Sequence, residues 1–310
     1  MYSLENDEVA GGSSGTDRTG VREHVRPAVT RAEEVAANAS GENFPVALRL
    51  LPERHRRHLT ALYCFARLTD DLGDQAREEG QSDADLRLRL LDELAADVNR
   101  IYAGTTPQSP VMRQMAATVD ECGVPAQPLL DLIQANRQDQ QVTRYPTYEE
   151  LARYCELSAN PVGQIVLCIF GAATPERIKL SDRICTALQL AEHWQDVAED
   201  LANGRIYLPA EDLDRFKVTE TDLAVPSAGP GVRNLMRFET DRAQKLMDEG
   251  APLVGTLRGA ARLAVAGYLA GGRAALAAIR AQRYDVLSAT ARPRKPRMAA
   301  ELVKAYARGR

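Results

Sequence analysis

From residue 50 onward, apolar positions recur every three or four residues, the period of α-helices with one buried face. This spacing predicts helices over residues 50–72, 83–102, 111–122, 125–142, 148–170, 175–201, 234–249 and 252–283. Ser82 stands where a cap would precede the second, Gly123 turns between the third and fourth, and Asn203-Gly204 ends the sixth. Within 148–170, the run Asn160-Pro161-Val162-Gly163 predicts a break, because proline lacks a backbone donor and disfavours helix in the residue before it. Residues 226–231 read as a loop, and no stretch alternates strongly enough to build a sheet. The pattern defines an all-α, single-domain bundle over residues 36–287, after a segment at 1–35 that reads as disordered and before a basic tail at 288–310.

Two of these helices carry polar stripes where apolar residues are expected. Tyr63, Arg67, Asp70 and Asp74 follow one another at spacings of four, three and four. Gln189, Glu192, Asp196, Glu199 and Asp200 form a second stripe among Leu188, Leu190, Trp194, Val197 and Leu201. Asp70/Asp74 and Asp196/Asp200 share the i,i+4 spacing that puts both carboxylates on one helix face. One such pair is ordinarily a solvated surface; two inside apolar helices read as the lining of a cavity. Four converging carboxylates are costly unless a positive charge sits among them. Magnesium suits the role, because it takes oxygen ligands and is normally shared with substrate phosphates.

Composition narrows the classes. A formal charge of -4 without acidic or basic runs in the body gives no reason to expect nucleic acid. The five cysteines lie in apolar helical segments without CxxC spacing and read as reduced core thiols. The four histidines form no metal-ligand set; His193 sits beside the second stripe. The first twenty residues lack the apolar core of a signal peptide, and the most apolar window, 251–272, is interrupted by Arg258 and Arg262. The expected location is therefore cytoplasmic. Residues 292–310 hold seven Lys or Arg against one Glu, which reads as a solvated tail. Peripheral contact with the inner face of an anionic membrane is the alternative.

The motif residues resemble those of the squalene/phytoene synthase family. Tyr63-Cys-Phe-Ala-Arg67-Leu-Thr-Asp70-Asp71-Leu-Gly-Asp74 is similar to its first aspartate-rich motif. Leu188 to Asp200, followed by Gly204-Arg205-Ile-Tyr207-Leu-Pro209, is similar to its second. Arg144-Tyr145 through Tyr154 to Ser158-Ala-Asn160-Pro161-Val-Gly163 stands in the position of its central substrate helix. Glu42-Asn43-Phe44-Pro45, the Ser158–Gly163 run and Trp194-Gln195-Asp196 resemble the branch that makes hydroxysqualene in bacterial hopanoid pathways. Glu192 and Gln195 depart from the Asn and Arg common at those two positions.

The resemblance implies an isoprenoid synthase-type bundle with a central cavity, using two or three diphosphate-bridging magnesium ions and no nicotinamide. Asp70, Asp74, Asp196, Glu199 and Asp200 would be the metal ligands. Phe44, Arg67, Asn160, Gly163, Gln164, Glu192 and Arg205 would bind presqualene diphosphate or a related prenyl diphosphate. Tyr63, Arg67, Tyr154, Gln189 and Tyr207 would serve the chemistry, the aromatic faces by stabilising a carbocation. Water capture would complete the reaction, with Asn160, Gln164 and Gln189 as candidates to position that water. Other enzymes of the squalene pathway would be partners. Presqualene diphosphate, squalene and phytoene synthases share the same metal site and remain alternatives. A helical scaffold without activity is the reading from another class, and it would have no need of four converging carboxylates.

Overall fold

The computed structural model describes residues 51–74 and 84–308. The N-terminal segment read as disordered, with Phe44, lies outside these, as do Ser82 and the side chain of Asp74. Among the described residues the chain is helical throughout, with one isolated parallel bridge between Arg144 and Ile206.

The first four helices are α1 (Glu53–Asp74), α2 (Ala84–Tyr102), α3 (Pro110–Cys122) and α4 (Ala126–Gln138). They enclose one apolar cluster, built on Leu59, Phe65, Leu68, Leu91, Met112, Leu129 and Ile133. Gly123, at φ 64°, supplies the left-handed residue that ends α3. Then follow α5 (Tyr148–Ser158), α6 (Asn160–Ile169), α7 (Pro175–Gln195) and α8 (Val197–Ala202). The expected break between α5 and α6 falls at Ala159, directly before Asn160-Pro161. Thr174 caps α7 by accepting from the Arg177 amide, with Pro175 in the first turn, where its missing donor costs nothing.

Beyond these lie α9 (Ala210–Phe216), α10 (Glu220–Leu223), α11 (Pro230–Gly250), α12 (Leu253–Thr256), α13 (Gly259–Ala281) and α14 (Lys295–Arg308). The second cluster gathers around α7, with Trp194, Leu190, Leu235, Met247 and Leu276 at its centre. α7 packs against α5, α6, α11 and α13, so it is walled on several sides by other helices.

Three expectations are corrected. The helix predicted over 175–201 is two helices, interrupted at Asp196 (φ -106°, ψ 16°). In the last turn of α7, Trp194 donates from Nε1 to the Glu239 carbonyl (3.2 Å) and Gln195 donates to the Ala291 carbonyl. The end of α7 is thus tied to neighbours just where the chain turns. The helix predicted over 252–283 is broken at Leu257-Arg258, giving α12 and α13. The basic tail is not a loose appendage, because α14 lies on α13 with Ala305 buried and Leu302 and Tyr306 packed on the second cluster. Its cations sit on the outer face, which is why composition alone suggested a solvated tail.

Candidate functional site

The first carboxylate cluster is built on the last turns of α1. Asp70 is exposed and accepts from Asn136 Nδ2 of α4 (3.2 Å). Arg67 pairs with the nearly buried Asp71 (3.0 Å), while its own buried Nε has no hydrogen-bond partner among the described residues. Tyr63 is half-buried one turn earlier. Gln140, just beyond α4, donates to the carbonyls of Gly73 (3.1 Å) and Asn136 (2.9 Å), fixing α4 against the end of α1.

The second cluster sits where α7 gives way to α8. The Asp196 carboxyl is raised above its ordinary range, first by burial and then by Glu199. Asp200 is pushed up to about 7 by burial and by Asp196, Glu199 and Glu192, against the opposing pull of Arg205. The four acidic side chains therefore act on one another electrostatically. Their crowding is the cost that a bound cation would relieve.

Arg205 connects this cluster to α4. It donates to the Tyr207 hydroxyl (3.1 Å) and, through Nη2, to the Asp139 carbonyl (3.0 Å), and it lies 3.7 Å from the Asp139 carboxylate. Its buried Nε, like that of Arg67, has no hydrogen-bond partner among the described residues. Two buried guanidinium edges with donors to spare suit an oxyanion.

Below Arg205 lies a box of rings. Tyr207 stacks on His193 at 3.7 Å between centroids, and Tyr145 and Tyr154 stand 5.8 and 5.9 Å from Tyr207. Pairing of Ile206 N with the Thr143 carbonyl and of Ala210 N with the Tyr145 carbonyl brings these segments together. Tyr154 donates to Asp139 (2.8 Å), so its hydroxyl is engaged, and its ring packs against Tyr145, His193 and Tyr207. His193 is kept neutral, its pKa depressed to about 3 by burial and then by Arg205. Gln189 donates to its Nε2 (3.2 Å).

Not every expected site residue gathers here. Asn160 is buried between α6 and α7, accepting from Thr186 (3.0 Å). Gln164 donates to Asp182 (3.2 Å), and Gly163 touches Ser181 and Cys185. These three lie along the α6–α7 contact. Asp139, Asn136, Tyr145 and His193 belong to the site although sequence reasoning did not assign them. The polar run Gln138-Asp139-Gln140-Gln141 at a helix end is indistinguishable by pattern from solvated surface. The donor set suits magnesium in chemistry. Among the described residues, though, no three His, Cys, Asp or Glu side chains are close enough to enclose a metal by themselves.

Carboxylate clusters with arginines beside them in an all-α bundle are the features of the isoprenoid synthase class of fold. The family model for squalene/phytoene synthase matches residues 37–299, and the chain belongs to that family of enzymes acting on prenyl diphosphates. It is 32% identical over 234 residues to the hydroxysqualene synthase of Rhodopseudomonas palustris, covering 74% of this chain and 77% of that protein. It is 31% identical over 275 residues to the 15-cis-phytoene synthase of Synechocystis, covering 84% and 80%. The crystal structure of squalene synthase HpnC from Alicyclobacillus acidocaldarius matches with a TM-score of 0.74 at 41% identity, over 84% of this chain and 95% of that one. No described helix is long and apolar enough to cross a membrane.

Proposed function

We propose that this protein ionises presqualene diphosphate and lets water capture the carbocation, releasing hydroxysqualene and diphosphate without a nicotinamide. The observation that carries the reading is the crowded Asp196–Glu199–Asp200 cluster set against Arg205, directly beside the ring box. Asp70, Asp196, Glu199 and Asp200, with Asp74 by its place in the motif, would hold two or three magnesium ions. Their contribution when bound is Lewis-acid stabilisation of the departing diphosphate.

The chain's own groups do the rest. Arg67 and Arg205 offer their spare Nε donors to diphosphate oxygens, which positions the leaving group and neutralises part of its charge. Departure leaves a cation next to Tyr154, Tyr145 and Tyr207, whose ring faces stabilise it through their quadrupoles. The nucleophilic atoms of three members of the box are already engaged. Tyr154 is engaged by Asp139, Tyr207 by Arg205, and the basic nitrogen of His193 by Gln189.

Likeness to the Rhodopseudomonas hydroxysqualene synthase supports the choice of branch. Likeness to the Synechocystis phytoene synthase over more of the chain favours, as the second reading, a head-to-head condensation of two prenyl diphosphates. Incubation with presqualene diphosphate and magnesium, without nicotinamide, followed by gas chromatography and mass spectrometry, decides between them. Hydroxysqualene is the expected product. Consumption of farnesyl diphosphate with presqualene diphosphate untouched would replace this reading with the condensing one.

A further inference from the structure

The face of α7 that carries Gln189, Glu192 and Asp196 continues inward through Cys185 to Asp182, at spacings of three and four residues. Beside this face, Ile184, Thr186, Ala187, Leu190 and Ala191 are in the core, while Arg183 reaches the outer surface. Cys185 sits against Gly163 of α6, its thiol pushed up to about 12 by burial, and yet it is only half-buried. Tyr268 of α13, close enough to feel the Cys185 thiol electrostatically, shows the same combination. Groups that are deeply enclosed and still accessible line an internal cavity.

The shape of that cavity follows from three glycines. At Gly163 a Cβ would come within 2.5 Å of both Ser181 Oγ and Cys185 Sγ, so α6 and α7 are in direct contact at this level. At the same level, the Gln164–Asp182 hydrogen bond joins the same two helices. At Gly272 a Cβ would meet Leu188 at 2.8 Å, which places α13 alongside α7 just above Tyr268. At Gly271 a Cβ would meet nothing within 4 Å. Space is therefore open at Gly271, three residues along α13 from Tyr268 and on the same face, while α13 meets α7 at Gly272 and α6 meets α7 at Gly163.

Depth then selects the occupant. Cys185 lies eleven residues before Asp196, which at about 1.5 Å per residue is roughly 16 Å. An extended fifteen-carbon prenyl chain spans about 14 Å and a twenty-carbon chain about 19 Å, from carbon–carbon bonds of about 1.5 Å. The shorter chain fits between the diphosphate site and Tyr268; the longer one does not.

We propose that Tyr268, seated beside Cys185 where α6 and α7 meet at Gly163, is the floor of the prenyl cavity and restricts this enzyme to fifteen-carbon units. The assignment rests on the prenyl-diphosphate reading of the site and deepens it, by naming the residue that fixes chain length. The test is calorimetric binding of the unreactive thiolodiphosphates of geranyl, farnesyl and geranylgeranyl in the presence of magnesium. The natural sequence should bind the farnesyl probe at least tenfold more tightly than the geranylgeranyl one. Tyr268→Ala should bring the two within about threefold, whereas Tyr268→Phe, which keeps the bulk, retains the preference. Cys185→Leu raises the floor from the α7 side and should shift preference toward the geranyl probe, giving a readout that does not depend on the alanine variant folding. Equal binding of the farnesyl and geranylgeranyl probes by the natural sequence, or an unchanged ratio in both Tyr268→Ala and Cys185→Leu, overturns the floor. Failure of every probe to bind while presqualene diphosphate is still turned over overturns the floor, whereas failure of presqualene diphosphate as well overturns the reading beneath it.

Discussion

At the scale of single residues, the site holds like charges together at a cost. Asp196, Glu199 and Asp200 crowd one another in the absence of a counter-ion. Asp200→Asn should therefore raise metal-free stability by about 1 kcal/mol while lowering turnover at least a hundredfold, as urea unfolding and product assay together would read. A variant that loses stability and keeps its rate would remove the metal-site role. Arg205→Met leaves Asp139 with the Tyr154 hydroxyl but without its guanidinium and should cost about 3 kcal/mol, because a buried carboxylate that loses its counter-charge is poorly solvated. His193 supplies a pH dependence. Its pKa is about 3 folded against 6.5 unfolded, so below 6.5 the unfolded chain takes up a proton that the folded chain refuses. The stability it contributes is complete above pH 6.5 and is lost as pH falls toward 3. Between pH 7.5 and 5 this contribution should fall by about 2 kcal/mol, while Asp200, raised to about 7, gains stability over the same window. The quantity to read is therefore the stability difference between the natural sequence and His193→Gln, which should shift by about 2 kcal/mol between denaturation curves measured at the two values.

At the scale of elements, helix identity was legible wherever one face had to be buried, because burial imposes the 3.6-residue period. The aspartate stripes were legible for the complementary reason, since polar residues interrupting an apolar face signal a cavity. Ends and interruptions were not legible. The turn at Asp196 coincides with tertiary ties from Trp194 to α11 and from Gln195 to Ala291, and no local propensity announces those. α9 and α10, of seven and four residues, are too short to show a period. Asn136 and Asp139 were hidden in a polar helix end, and their importance comes only from what lies opposite. Close contact between elements gives a further prediction. At Gly250 of α11 a Cβ would lie 2.7 Å from the Leu180 carbonyl oxygen of α7, a backbone atom held in the helix. Gly250→Ala should destabilise by about 1–3 kcal/mol, read as a shifted urea midpoint with unchanged slope.

At the scale of the whole molecule, the site lies between two apolar clusters, one built mainly from α1–α4 and the other around α7. α14 closes the second cluster from outside. Ending the chain after Arg294 would expose the surfaces that Leu302, Ala305 and Tyr306 cover, and should cost about 2–4 kcal/mol. Scanning calorimetry should show the loss as a lower midpoint; an unchanged midpoint would mean that α14 contributes nothing to the fold. The two clusters meet the chemistry through one short span of α4 and its cap, where Asn136 holds Asp70 and, three residues on, Asp139 holds Arg205 and Tyr154. That span works as a fixed gauge. The distance between the two halves of the site is set by a single helical turn, the stiffest unit a protein has, while the connections between the helices can drift in length through evolution. A residue inserted between 136 and 139 would rotate one contact about a hundred degrees away from the other, uncoupling the two halves while leaving both clusters packed.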